Sequence, residues 1–167
     1  QREFLERTLD ALSHNDNTLG IAPTGAGKTI LFSHLLGKLL ARNEATKALV
    51  VAHRDEITDQ NLEKFQKINP DISASLFYAA VKDWSGRAVF GNIQTLSREG
   101  NLEQIPHLDF LVIDEAHHTT ADTYQAIIAK VRGISKNCKI IGMTATPSRS
   151  DGGGLRKTYS NVSDQIH

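Results

Sequence analysis

The chain has 167 residues, 40% of them hydrophobic and 23% charged, which suits one globular domain able to bury about 70% of its unfolded surface. Nineteen Lys and Arg offset nineteen Asp and Glu, so net charge points to neither nucleic acid nor membrane, and any polyanion contact must come from a local patch. A lone cysteine, Cys138, leaves no internal disulfide and no thiolate cluster for zinc. With no run of about 18 apolar residues and no signal-peptide pattern, the expectation is an intracellular domain, cytoplasmic or nucleoid/nuclear.

Taken in order, residues 1–12 place Phe4, Leu5, Leu9 and Leu12 at helical spacing, and Ser13–Asn17 is a polar break. Leu19–Ala22 predicts a first strand. It leads into Ala22-Pro23-Thr24-Gly25-Ala26-Gly27-Lys28-Thr29, and a helical pattern follows from Ile30 to Leu40, closing by about Arg42. Asn43–Thr46 turns the chain into a second buried run, Ala48–Ala52. Asp55 is placed to cap the next helix, whose apolar face takes Ile57, Leu62, Phe65 and Ile68 and which ends by Pro70. Strands are expected at Ile72–Tyr78 and Arg87–Ile93, with Asp83–Gly86 as the turn between them and a short helix over Gln94–Arg98. Asp109–Ile113 is the most strongly buried strand pattern and stops at Asp114. Thr123–Arg132 reads as a helix and Lys139–Met143 as a strand; beyond Pro147, Ser, Asp and Gly dominate to Gly154.

Continuous apolar strands alternating with helices predict an α/β fold, a mostly parallel sheet with helices on both faces. Ligands on such sheets bind beyond the C-terminal strand edge. Ala22–Thr29, His53-Arg54, Asp114–His117 and Thr144–Thr146 all leave that edge in this arrangement.

The first of these stretches has the context of a phosphate-binding loop: strand, glycine-rich turn, then a helix opening on Gly-Lys-Thr. Thr24, Gly25, Ala26, Gly27, Lys28 and Thr29 would surround the phosphates, the glycines letting backbone N–H groups face one point. The helix N-terminus adds donors and a positive dipole end. Lys28 is placed to reach the β- and γ-phosphates and the Thr29 hydroxyl to hold Mg²⁺. One departure from the G-x-x-x-x-G-K-[ST] pattern is Ala22 in place of its first glycine. A glycine-rich turn with a chance lysine would share the composition.

A second motif supplies what a Mg²⁺·nucleotide site needs opposite such a loop. The apolar strand ending in Ile113 delivers Asp114, placed to hold Mg²⁺ through water, and Glu115, placed to orient or deprotonate an attacking water. The alternative is an acidic helix N-terminus, which Asp and Glu favour for dipole reasons.

Together these stretches resemble a known family. Ala22–Thr29, Asp114-Glu115-Ala116-His117 and Thr144-Ala145-Thr146 are similar to motifs I, II and III of superfamily 2 DEAD/DEAH-box helicases and translocases. Val51–Arg54, Ile93-Gln94-Thr95-Leu96 and the stretch after Thr146 resemble the branch of repair DNA helicases and type III restriction subunits. The resemblance covers essentially the whole chain and implies a RecA-like P-loop NTPase fold, the first of that family's two RecA-like domains, with ATP and Mg²⁺ as cofactors. It implies that Gln1 reads the adenine edge and that His117, Thr144 and Thr146 couple hydrolysis to strand movement. It places Arg54 and Thr95 on the backbone of a nucleic acid, DNA ahead of RNA. A frayed terminus for Gln1, a β-branched strand end for the threonines and a solvated loop residue for Arg54 are the plain alternatives. The second RecA-like domain, with motifs IV to VI and an arginine finger, is expected as a partner outside these residues. The 167 residues alone are therefore expected to bind ATP but hydrolyse it poorly. Competing functions are a small-molecule kinase and a nucleotide-gated nucleic-acid-binding module without hydrolysis. A zinc site at His117-His118, base stacking by Trp84 and a reactive Cys138 are not expected.

Overall fold

In the computed structural model the residues described are 17–21, 25–114, 121–144 and 162–165. They form one eight-stranded sheet: β1 (Asn17–Ile21), β2 (Ala48–Ala52), β3 (Ala74–Tyr78), β4 (Val81–Lys82), β5 (Ala88–Asn92), β6 (Phe110–Asp114), β7 (Lys139–Thr144) and β8 (Val162–Gln165). The spatial order is β4-β3-β5-β2-β6-β7-β1-β8. Every pairing is parallel except β3 with β4. Helices α1 (Gly25–Ala41), α2 (Asp55–Ile68), α3 (Ile93–Leu96), α4 (Glu99–Leu102) and α5 (Ala121–Ile134) make the crossovers. No helix among the described residues is long and apolar enough to cross a membrane.

The apolar runs are continuous because each strand is covered on both faces, and alternation along the strand divides them. Leu49 and Val51 of β2 and Leu111 and Ile113 of β6 join Ile127, Ile128 and Val131 of α5 in one core. Ala48, Val50 and Val112 point the other way, into a second core with α1 and Phe65 of α2. Six side chains of α1 (Leu31, Phe32, Leu35, Leu36, Leu39 and Leu40) lie in that core. At roughly 1.5–3 kcal/mol for each fully buried side chain, they anchor α1 firmly below the strand ends.

Two contacts fix α2 beside it. Phe65 packs on Phe90 of β5 with ring centroids 5.3 Å apart. At its end, the Asn69 Nδ2 donates to the Ser33 carbonyl of α1 at 2.9 Å. This close crossing depends on Gly37, since a Cβ there would collide with the Asn69 side chain.

The helices and strands differ from the sequence expectation in instructive places. The first helix begins at Gly25, so the glycine-rich stretch is itself the opening turn. Asp55 is the first helical residue of α2 rather than its cap; Arg54 takes the cap position and makes no side-chain cap bond. Of the expected apolar face of α2, Phe65 is fully buried and Leu62 packs half-buried against the same core; Thr58 and Asn61 are buried as well, because this edge of the helix faces polar groups at the strand ends. The Asp83–Gly86 turn is preceded by β4, which forms a two-residue hairpin with β3. The expected helix over residues 1–12 and the tail around Gly152–Gly154 lie outside the described residues. Trp84 packs on Phe77 at 5.0 Å between centroids.

Candidate active site

β1, β2, β5, β6 and β7, which pair in parallel, all end at one edge of the sheet. Helix α1 starts there. By helix geometry its first N–H groups have no partner within the helix. It has no acidic residue in its first turn, whereas α2 opens with Asp55 and Glu56 and α5 carries Asp122. The positive end of α1 thus lacks the carboxylate that compensates the other two long helices.

Thr29 and Asp114 stand at this edge, 6% and 1% exposed. Asp114 closes β6 and, by the two-residue alternation, shares a face with Val112, the face that carries α1 and α2. A side chain of α2 joins the two. Asn61 donates from Nδ2 to the Asp114 Oδ2 at 2.8 Å. Its Oδ1 accepts from the Thr29 hydroxyl at 3.4 Å, the long end of a hydrogen bond. A buried carboxylate is costly unless hydrogen-bonded, and the amide supplies one such bond. Asn61 is itself only 2% exposed.

The remaining expected residues fall as follows. Gly25, Ala26, Gly27 and Lys28 form the opening turn of α1. Thr144 ends β7 and pairs with Ile21, the last residue of β1. Arg54 is exposed where β2 meets α2, and Thr95 is 6% exposed within α3. Their strands are neighbours, with Ala52 opposite Asn92. Asn92 ties the two turns together: its Oδ1 accepts from the Gln94 and Thr95 N–H groups, and its Nδ2 donates to Asp55 at 2.8 Å. Gln1, Thr24, Glu115, His117 and Thr146 lie outside the described residues.

Asn61 and Asn92 are not among the residues that the motifs single out. Asn92 carried a cap signal, a side-chain acceptor immediately before a short helical pattern. Asn61 carried a fainter one, a polar residue four positions before Phe65 on a face that must pack.

The donor set fits a hard divalent cation. A threonine hydroxyl and a carboxylate are oxygen ligands, and Mg²⁺ takes one or two protein oxygens and keeps several waters. Among the described residues no three His, Cys, Asp or Glu side chains converge, so a cation here would rest on such a sparse set.

The family model described as type III restriction enzyme, res subunit, matches residues 1–149. The chain belongs to that family. It is the N-terminal RecA-like domain of a superfamily 2 helicase. Putative ATP-dependent helicase IRC3 of Saccharomyces cerevisiae is 27% identical over 178 residues, spanning 99% of this chain and 25% of that protein. ATP-dependent DNA helicase mph1 of Neurospora crassa is 29% identical over 147 residues, spanning 81% of this chain and 13% of that protein. The chain thus covers a quarter or less of these relatives. Among solved structures, S. cerevisiae Dbp5 bound to RNA and ADP BeF3 superposes with a TM-score of 0.76 at 21% identity, over 99% of this chain and 45% of that one. That likeness establishes the RecA-like fold.

Proposed function

We propose that this domain binds ATP with Mg²⁺ and forms half of the hydrolytic site of a helicase or translocase acting on DNA ahead of RNA. The observation that carries the proposal is the Thr29–Asn61–Asp114 chain, which unites the start of α1 with the tip of β6.

In this reading Gly25–Thr29 hold the phosphates with backbone N–H groups, and Lys28 places its ammonium on the β- and γ-oxygens. Thr29 and Asp114 hold Mg²⁺, Asp114 through water; when bound, the ion supplies charge that stabilises the phosphoryl group in transfer. Glu115 orients the attacking water in line and accepts its proton. Gln1 reads the adenine, and His117, Thr144 and Thr146 carry the change onward. Arg54 and Thr95 hold nucleic-acid phosphates without reading bases. The DNA preference draws support from the name of the Neurospora relative. An arginine from a second RecA-like domain completes the site, and such a finger is typically worth ~10³–10⁵ in turnover.

The test pairs two preparations. The 167 residues alone should bind ATP yet turn it over slowly, with or without nucleic acid. A protein that also carries the second domain should hydrolyse ATP, and Glu115→Gln should cut its turnover by roughly 10²–10⁴ while nucleotide binding persists. Fast, nucleic-acid-stimulated turnover by the 167 residues would overturn the half-site reading. Failure to bind nucleotide would overturn the whole.

A further inference from the structure

We infer that Asn61 is a positioning residue for the metal-binding pair, setting Thr29 and Asp114 in their working orientations; the inference rests on the nucleotide-site reading above. An asparagine side chain has one carbonyl and one NH₂, and the two ends meet opposite needs here. Its carbonyl accepts from the Thr29 hydroxyl, which turns that oxygen's lone pairs away from the amide. Its NH₂ donates to one oxygen of Asp114, which fixes the carboxylate plane through that oxygen. A leucine could fill the volume but could do neither.

The surroundings keep Asn61 in place. Phe65 lies one turn along α2 and is fully buried against Phe90. One turn the other way, the Thr58 hydroxyl donates to the Arg54 carbonyl at 2.9 Å. The far end of the helix is pinned to α1 by Asn69. The helix therefore presents Asn61 from a frame fixed on both sides, as partners that orient metal ligands usually are. It also links two expected sites in one physical connection: α2 begins at Asp55, next to Arg54, an expected nucleic-acid contact, and presents Asn61 to the expected metal pair within two turns.

The test titrates Mg²⁺ against binding of a fluorescently labelled ADP to the 167-residue chain. Asn61→Ala should raise the Mg²⁺ midpoint by about tenfold or more, while affinity in the presence of EDTA stays within about twofold. Asn61→Leu, closer in volume, should give the same shift and serves if the alanine variant melts early. An unchanged midpoint in a folded variant would overturn the inference and leave the nucleotide site standing. Equal losses with and without Mg²⁺ would also overturn it, showing only a packing role. Wild-type protein that binds no nucleotide would remove the function reading and this inference together.

Discussion

The two ends of the sheet use similar side chains in different ways. At the N-terminal edge, charged groups are satisfied mostly by backbone. Arg87, just before β5, donates to the carbonyls of Leu40, Asn43 and Thr46 and to the Thr46 hydroxyl. Asp109, just before β6, accepts the Lys47 N–H at 2.9 Å, and the Lys47 ammonium reaches the Trp84 carbonyl. At the C-terminal edge side chains close backbone groups too, but they also bond one another between elements: Asn61 to Asp114, Thr29 to Asn61, Asn92 to Asp55. A charge that closes backbone valences staples loops. A polar side chain held by another side chain fixes how two elements sit at the strand ends.

If that division is sound, changes at the two edges should separate stability from binding. The largest effect is expected at Arg87. Arg87→Met leaves the partly buried carbonyls of Leu40 and Thr46 without this donor and should cost on the order of 1–2 kcal/mol, with a melting midpoint lower by roughly 3–6 °C. Nucleotide affinity should hold within about twofold; a variant that stays folded but loses affinity would break the comparison.

Cys138, at the same edge, gives a pH test. Burial pushes its thiol from an ordinary 9.0 up to about 12, with Arg132 nearby lowering it and Asp109 raising it further. Folding therefore favours the protonated form, and its stabilisation is whole below pH 9 and is lost as the pH rises through about 12. Denaturant midpoints measured across that range should fall for the wild type and fall less for Cys138→Ala. Identical alkaline profiles would remove Cys138 as the cause.

The smallest effect belongs to the exposed side of the C-terminal edge. Arg54→Ala should weaken oligonucleotide binding about fivefold, equally across sequences, and reduce the salt slope by about one. Its unfolding free energy should stay within ~0.5 kcal/mol, because Arg54 makes no side-chain cap bond to α2. Fluorescence anisotropy over a salt series reads the first quantity and urea unfolding the second. A sequence-dependent loss would mean that Arg54 reads bases.

Much of the fold was legible because its signals are local. β2 occupies the expected Ala48–Ala52, and β5, β6 and β7 fall within a residue of the runs that announced them. β4 escaped because two exposed residues give no alternation. β8 escaped because Val162–Gln165 is largely polar and lies at the sheet margin, beside β1 with a register shift. Residue type and context mark Thr29 and Asp114 as candidates, whereas the Asn61 amide that joins them carries no local signal of that contact.

The sequence by itself determined that apolar strands alternate with helices, that a Gly-Lys-Thr turn opens one helix and that a carboxylate tips one strand. Periodicity and turn chemistry act over a few residues and need no partner elsewhere. Only the tertiary structure decided which side chain meets Asp114. Asn61 is 53 positions away in sequence, and its approach depends on how α2 docks: Phe65 on Phe90 at one point, Asn69 over Gly37 at the other. Helix docking is set by volumes and close approaches between distant segments, and no local pattern encodes them.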